Sequence, residues 1–358
     1  MHLVTFNEPV DFARGKKIAP GRYLADNVNA GQWLARHSRS VMVEPCPALP
    51  AWQVEARSVC IIRPGGLGDL IMITPILREV RRLHPDCVIH VCTHAWNAVV
   101  LQGLPFVDGI VPYPMEAWRL GDYEAVVPME DLVESEPKPA EVHALDSFLK
   151  AWPGLTIENR RPEYHLPDSE REEVRKRCNK PSTRRFVVGV QLEASSPVRT
   201  YPRMTELLDM LIGRGHGVRI FGEPGKHQIK HPYGARLQNL PACTPAPNFR
   251  ESVALAADCD GLIVADSSMV HAAGALGLTA VALYGSFPWQ VRTKDYPTVH
   301  ALNGIGPCAA CCWHGRTSRW PGHGPCTKSG YCDVLATIEP GRIVTTLEKL
   351  MEAKQPHQ

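Results

Sequence analysis

Short apolar runs alternate with amphipathic stretches over most of the chain. Continuous apolar runs are typical of strands buried on both faces of a parallel sheet. Between them, apolar residues recur at helical spacing, as in Leu70, Ile73, Leu77 and Val80. The runs predict strands over 58–62, 88–92, 109–111, 123–127, 185–192, 218–222, 261–265 and 280–284. Strands that alternate with helices in this way predict an α/β protein with parallel sheets.

The strand–helix alternation occurs twice, which predicts two Rossmann-like, doubly wound domains. We place the first over 58–180 and the second over 181–335, and the second contains a Cys-rich loop at 306–333. A C-terminal helix and tail occupy 336–358. Short apolar stretches and a Pro-rich linker in residues 1–57 predict a small β-rich appendage.

Composition narrows the class of protein further. The 358 residues carry 39 Lys and Arg against 37 Asp and Glu, so the net charge of +2 gives no overall field for nucleic acid or a membrane surface. No apolar run approaches the roughly 18–20 residues of a membrane-spanning helix. The N-terminus lacks the pattern of a signal peptide, so we expect a cytoplasmic protein. Peripheral association with the inner membrane is the alternative. Its 12 cysteines are then thiols or metal ligands rather than disulfides.

A Gly-rich turn, Pro64–Asp69, joins the first strand of the first domain to a helix. Backbone N–H groups at such a turn can approach a phosphate. The turn lacks the third glycine of the dinucleotide fingerprint, because Ile71 stands in that position, which argues against NAD. Asp69 has two interpretations: a helix N-cap, or a general base at the carboxyl end of the sheet.

Three segments at strand ends of the second domain carry polar side chains. Ser195, Ser196 and Arg199 form a candidate phosphate loop, and Glu223 is a candidate partner for a ribose diol. Asp266 ends a buried strand, and Ser267 and Ser268 open the next helix, one turn before His271. In isolation, each segment is also compatible with a solvated loop or a capped helix. Because ligands of open α/β sheets bind outside the carboxyl ends of the strands, the three segments together predict a nucleotide site.

Two pairs of motifs resemble glycosyltransferase family 9, the ADP-heptose:lipopolysaccharide heptosyltransferases and their relatives. The first pair is Gly68–Pro75 with Arg81–Pro85, and the second is Asp266–His271 with Ala280–Gly285. The resemblance covers about residues 58–350. It implies a GT-B fold with a cleft between the two domains, a nucleotide-diphosphate sugar donor, and metal-independent inverting transfer to a glycan, lipid or protein acceptor.

The resemblance also implies roles for individual residues. Asp69, directly after Gly68, matches the family's proposed base. Arg199 stands where the family has a lysine facing the donor phosphates, and Glu223 matches the ribose-contacting acid. The remaining matches form the donor motif, in which Ser268 replaces the usual glycine: Asp266, Ser267, Ser268 and His271.

Two other functions remain open on the sequence alone. A sugar-nucleotide epimerase shares the two-domain architecture, and it would convert the donor without any acceptor. A non-catalytic module that binds a sugar or nucleotide would have no use for a base at Asp69.

Cysteines cluster near the end of the second domain. Cys308, Cys311, Cys326 and Cys332 are candidate thiolate ligands for a structural iron or zinc ion, with free thiols as the alternative. The cysteine-rich finger of related protein-modifying heptosyltransferases, which holds iron, resembles this segment. Asp258-Cys259-Asp260 spells a metal motif of other glycosyltransferases, but its place between a helix and a buried strand predicts a turn.

Overall fold

The computed structural model of the protein describes residues 1–12, 16–191, 193–194, 196–223, 233–312 and 331–354. The chain divides into two units. Unit 1 comprises Met1–Val133 and Leu145–Glu158, and unit 2 comprises Glu134–Ala144 and Asn159–Gln358. The chain therefore passes from one unit to the other three times, and the predicted boundaries at residues 57 and 180 do not coincide with these passages.

Unit 1 begins with a small antiparallel sheet of four strands in the order β5-β1-β4-β9. Its core includes Phe6, whose ring centroid lies 5.5 Å from that of Tyr23 and 5.3 Å from that of Trp33. Strand β9 is supplied by a much later part of the chain. The first five strands and β9 are β1 (His2–Phe6), β2 (Val10–Asp11), β3 (Lys17–Ile18), β4 (Gly21–Ala25), β5 (Val41–Pro45) and β9 (Met115–Glu116).

The second sheet of unit 1 is parallel, in the order β10-β6-β7-β8. Its strands are β6 (Ser58–Ile62), β7 (Val88–Thr93), β8 (Gly109–Pro112) and β10 (Ala125–Pro128). The chain runs from β6 outward to β8 and returns to place β10 on the other side of β6. The sheet order thus reverses between β6 and β10, and ligands bind at such a switch point in open α/β sheets.

The helices of unit 1 are α1 (Asn27–Arg36), α2 (Leu67–Met72), α3 (Thr74–Leu83) and α4 (Ala144–Leu149). The pattern predicts one helix from Asp69, but the structure divides it at Ile73. Pro75 has no N–H with which to bond the carbonyl of Ile71, and the Thr74 hydroxyl donates to that carbonyl instead, at 2.7 Å. The proline therefore begins a second helix rather than continuing the first.

Unit 2 contains a six-stranded parallel sheet in the order β13-β12-β11-β14-β15-β16. Its strands are β11 (Val187–Gln191), β12 (Gly217–Ile220), β13 (Leu237–Asn239), β14 (Gly261–Ala265), β15 (Ala280–Tyr284) and β16 (Val299–Asn303). This order is that of a dinucleotide-type doubly wound sheet, with its switch point between β11 and β14.

Unit 2 has seven α-helices in the part of the chain that the structure describes. The last of them packs Ile343, Val344, Leu347 and Met351 into the core of the six-stranded sheet. The seven are α5 (Asp168–Arg177), α6 (Met204–Gly213), α7 (Phe249–Ala256), α8 (Ser268–Leu276), α9 (Gln290–Thr293), α10 (Asp333–Ala336) and α11 (Pro340–Lys354). In the described part of the chain, no helix is both long and apolar enough to cross a bilayer.

The α/β prediction with parallel sheets is confirmed. Three predicted strands, 58–62, 261–265 and 280–284, have the observed bounds, and the others differ by a few residues at their ends. The sequence pattern did not predict the short or polar strands β2, β3, β4, β9, β13 and β16. The predicted turn at Asp258–Asp260 is confirmed, because these residues form the turn between α7 and β14. Asp258 pairs there with Arg175, and Asp260 accepts a hydrogen bond from the Val187 N–H at 2.7 Å.

Candidate active site

The Gly-rich turn after β6 places Asp69 in the first turn of α2. Gly66, with a φ of +73°, is the N-cap of this helix, so the interpretation of Asp69 as the N-cap is wrong. Gly68 is the second residue of the helix and is half-buried. A Cβ atom built on Gly66 would lie 1.9 Å from Oδ2 of Asp69, so both the backbone angle and the space require glycine there.

A buried arginine holds the Asp69 carboxylate. The Arg63 side chain is only 3% exposed, and its Nη2 donates a hydrogen bond of 2.6 Å to Oδ2 of Asp69. Its Nη1 donates to the carbonyl of Met129, the residue after β10, at 2.9 Å. Arg63 therefore joins the two strand ends on either side of the switch point in unit 1.

Asp69 keeps its second carboxylate oxygen available. No described residue donates a hydrogen bond to Oδ1, and the Asp69 side chain is 24% exposed. A carboxylate with one oxygen oriented by arginine and the other accessible suits proton abstraction from a hydroxyl. Sequence reasoning missed Arg63, although an arginine at the end of an otherwise apolar buried strand was an available signal.

Aromatic rings lie beside this turn. The Asn97 amide donates to the carbonyl of Pro64 at 2.9 Å, which fixes the segment after β7 against the Gly-rich turn. In that segment His94 and Trp96 stack with ring centroids 4.4 Å apart. Phe12, from the N-terminal part of unit 1, lies 6.0 Å from the Trp96 ring.

In unit 2, Arg199 and Asp266 meet across the switch point. Arg199 ends the short helical turn Pro197–Arg199 after β11, and Asp266 follows β14. Nη1 of Arg199 donates to the backbone carbonyl of Asp266 at 2.8 Å and lies 4.0 Å from its Oδ2. The two side chains are 10% and 8% exposed, so a charged pair of residues occupies the edge where a nucleotide binds in such sheets.

Ser267 and Ser268 form the start of α8. Ser267 is the N-cap, but its hydroxyl donates to Oε1 of Gln191 at 2.7 Å rather than capping the helix. Ser268 is the first residue of the helix. One turn later, His271 is 4% exposed and its Nδ1 lies 2.7 Å from the Tyr296 hydroxyl. The structure thus places Arg199 against Asp266, the first residue of the predicted donor motif, and the other three residues of the motif lie at the start and in the first turns of α8.

The other predicted donor-binding residues differ in their surroundings. Ser196 is buried, and no described residue hydrogen bonds its hydroxyl oxygen. Glu223 is exposed after the end of β12. Ser195 lies outside the described residues.

The predicted metal ligands do not form a site among the described residues. Cys332 is 1% exposed and packs in the apolar core of unit 2, with the half-buried Cys308 against the same core. Cys311 is half-buried, and Cys326 lies outside the described residues. Within the described ranges, no group of three or more His, Cys, Asp or Glu side chains could hold a metal ion.

The two Rossmann-like units have the fold of solved glycosyltransferases of the GT-B class. The profile of glycosyltransferase family 9 (heptosyltransferase) matches residues 133–311, half of the chain. The chain belongs to this family.

Individual relatives agree with the family. The chain is 25% identical over 293 residues to lipopolysaccharide heptosyltransferase 2 of Escherichia coli K12, covering 63% of this chain and 82% of the relative. The solved structure of the E. coli ADP-heptose LPS heptosyltransferase II matches with a TM-score of 0.65 and 18% identity, over 84% of this chain and all of that one. The iron-containing dodecameric glycosyltransferase TibC of enterotoxigenic E. coli H10407 matches with a TM-score of 0.59 and 13% identity, over 99% of this chain and 91% of that one.

Proposed function

We propose that the protein transfers a heptose from ADP-heptose to an acceptor hydroxyl with inversion at the anomeric carbon. The observation that carries the proposal is the contact of Arg199 with Asp266 at the switch point of unit 2. Family membership supports sugar transfer over the epimerase and the non-catalytic module. One neighbouring structure, TibC, is a complex with ADP-D-β-D-heptose, which supports the choice of donor.

The donor's diphosphate becomes the leaving group in this reaction. The guanidinium of Arg199 and the N-terminus of α8 would stabilise the negative charge that develops as the bond to the sugar breaks. Ser196, with a hydroxyl that no described residue bonds, is available to donate to a phosphate oxygen. Asp266, Ser267, Ser268 and His271 would hold the donor, and Glu223 would accept from its ribose hydroxyls.

Asp69 would take the proton of the acceptor hydroxyl as that oxygen bonds to the anomeric carbon. Arg63 orients the carboxylate through Oδ2, which leaves Oδ1 for the proton. The proton ends on Asp69, the sugar on the acceptor, and ADP leaves. This step needs no metal ion.

We place the acceptor on unit 1, beside the stacked His94 and Trp96. Aromatic faces bind the apolar faces of sugar rings, so a glycan such as the core of lipopolysaccharide is the first acceptor to test, with a lipid or a protein as alternatives. Such an acceptor would bring the enzyme to the cytoplasmic face of the inner membrane as a peripheral protein, which cell fractionation can check.

A structural metal remains a separate proposal. The described cysteines do not make a metal site by themselves, so a thiolate site of Cys308, Cys311 and Cys332 would require Cys326 as well. TibC is iron-containing, which supports iron over zinc. Elemental analysis of the purified protein tests this, and the proposal fails if iron and zinc together stay below about 0.2 per chain.

Calorimetric titration and a transfer assay test the proposed function. ADP should bind more tightly than UDP or GDP, and ADP-heptose with heptose-deficient lipopolysaccharide should yield ADP and an extended core. Formation of an isomerised donor without acceptor would favour the epimerase. If no nucleoside diphosphate binds, the proposed function is wrong.

A further inference from the structure

Arg292, on α9, is a buried arginine outside the site described so far. The residue is 7% exposed, and its guanidinium carbon lies 4.3 Å from the ring centroid of Phe287, which is itself 2% exposed. The guanidinium therefore stacks on an aromatic face, and most of the side chain is buried.

Among the four buried arginines of the described ranges, Arg292 alone has no hydrogen-bond acceptor for its side chain. Arg63 donates to Asp69, and Arg250 donates to Glu170 at 2.5 Å. Arg219, which is fully buried, donates to Gln238 and to backbone carbonyls. For Arg292 no described residue accepts a hydrogen bond from the guanidinium or forms an ion pair with it. Since a largely buried guanidinium without an acceptor is unfavourable, this position suits an anionic ligand.

The position of Arg292 in the sheet indicates which anion. The segment that carries it follows β15, and β15 pairs with β14, whose end carries Asp266. Arg199 follows β11, the neighbour of β14 on the other side. Arg199 and Arg292 therefore follow β11 and β15, the two strands that flank β14. Asp266 lies between β14 and the start of α8.

Two further observations support an anionic ligand at this edge of the sheet. The pKa of Cys312 is raised to about 11 chiefly by burial, the Arg292 charge lowers it, and the Asp266 charge raises it, so both charges act on one thiol. Independently, the hydroxyl oxygen of Ser196, which follows β11 as Arg199 does, is a buried polar atom without a hydrogen-bond partner in the described ranges. A hydroxyl and a guanidinium without acceptors at one sheet edge can both donate hydrogen bonds to an anionic ligand.

We propose that Arg292 is a second diphosphate-binding residue, which holds the nucleoside diphosphate together with Arg199. This inference rests on the proposed function. An arginine fork can donate two hydrogen bonds to one phosphate group, which gives the ligand both charge neutralisation and a fixed orientation. The stack on Phe287 holds the guanidinium plane in place before the ligand arrives.

The test compares ADP with adenosine on the full chain and on the variants Arg292→Gln and Arg292→Lys. ADP affinity is measured by titration calorimetry and adenosine binding by saturation-transfer NMR. Arg292→Gln should weaken ADP about 10- to 100-fold and leave adenosine unchanged, because only the diphosphate loses its partner. Arg292→Lys keeps the charge but not the guanidinium fork, so its ADP affinity should lie between those of the wild type and Arg292→Gln. The exposed Arg342→Gln is the matched control and should bind as the wild type does.

Melting of the ligand-free variants separates binding from folding. Removing an unpaired buried charge should leave the melting temperature of Arg292→Gln equal to that of the wild type or higher. Loss of both adenosine and ADP binding together with a lower melting temperature would assign Arg292 a structural role and overturn the inference. Unchanged ADP affinity in Arg292→Gln would also overturn it, with the proposed function intact. A wild-type protein that does not bind ADP would overturn the proposed function itself.

Discussion

Arg63 donates a hydrogen bond of 2.6 Å to Oδ2 of Asp69, and this contact defines the chemistry available at the end of β6. The arginine is buried, so it cannot leave the carboxylate without losing its main ionic partner. The carboxylate is consequently held in one orientation, with Oδ1 as the oxygen that can accept a proton.

Replacing the carboxylate should stop transfer without affecting donor binding. We expect Asp69→Asn to lower kcat about 10²- to 10⁴-fold, because the amide keeps the shape but cannot take a proton at neutral pH. ADP release with heptose-deficient lipopolysaccharide measures kcat, and titration with ADP measures donor affinity. Asp86→Asn, an exposed acid of the same unit, should match the wild type in both. Near wild-type turnover of Asp69→Asn would remove Asp69 as the base.

Neighbouring glycines of the turn should respond differently to alanine. In Gly66→Ala the new Cβ would meet Oδ2 of Asp69 at 1.9 Å at a φ of +73°, so we expect the carboxylate to move and kcat to fall by at least about tenfold. Gly65→Ala is the control, since its Cβ meets nothing within 4 Å. Kinetics and melting curves of the two variants are compared, and equal kcat values would show that the position of Asp69 does not depend on Gly66.

Gly274 allows α8 to approach Tyr296. A Cβ at this position would lie 2.4 Å from the tyrosine ring, which hydrogen bonds His271 through its hydroxyl. We expect Gly274→Ala to cost about 1–3 kcal/mol in the free energy of unfolding, from overpacking. Gly213→Ala, in open space at the end of α6, should be neutral or slightly stabilising. Urea unfolding measures both, and an equally stable Gly274→Ala would contradict the predicted clash.

Glu348 should make the stability of unit 2 depend on pH. Its carboxylate lies 2.9 Å from Nε2 of His216 and 2.6 Å from Arg214. Burial alone raises the pKa of Glu348, but the hydrogen bonds from His216 and Arg214 and the nearby arginine charges outweigh burial and lower it. A lowered folded pKa gives stability that is present above the unfolded pKa of about 4.3 and is lost as the pH falls through the folded pKa.

We therefore expect Glu348→Gln to be less stable than the wild type at about pH 7 by roughly 1–3 kcal/mol, with a gap that narrows below about pH 4. Urea midpoints across this range measure the gap. Glu352→Gln, at a half-exposed carboxylate that pairs with Arg185 alone, should change little. A gap that stays constant with pH would mean that the Glu348 charge does not contribute.

Trp96 tests the placement of the acceptor. If a sugar ring stacks beside His94 and Trp96, Trp96→Ala should raise the acceptor KM about three- to tenfold and leave ADP affinity unchanged. Trp118→Ala, at a tryptophan 64% exposed, is the control. An unaltered acceptor KM in Trp96→Ala would exclude the stacked rings from the acceptor site.

Sequence pattern predicted best the elements whose burial is uniform. Strands such as 261–265 are apolar at every position because both faces are covered, so their bounds are visible in the sequence. By contrast, β9 has two residues and forms only because β4 offers its edge to Met115 and Glu116. Such a strand depends on tertiary pairing, which a local pattern does not contain.

The placement of Asp266 between a strand end and a helix start was predictable from the sequence, because topology brings such strand ends to one edge of the sheet. The buried arginines were harder to predict from the sequence. Arg292 differs from the many surface arginines only in its burial, whereas Arg63 also follows an apolar buried strand directly. Phe148, from a distant segment, packs over Arg63, whereas Phe287, which packs against Arg292, lies only five residues before it in the sequence.

The pairing of β4 with β9 has a consequence for biosynthesis. As the chain emerges from the ribosome, the first sheet lacks its last strand until Met115 and Glu116 have been made, and β4 keeps an open edge until then. An open edge invites pairing with other chains. A product that terminates before residue 115 would therefore lack the strand that covers this edge of β4, and the exposed edge would favour aggregation.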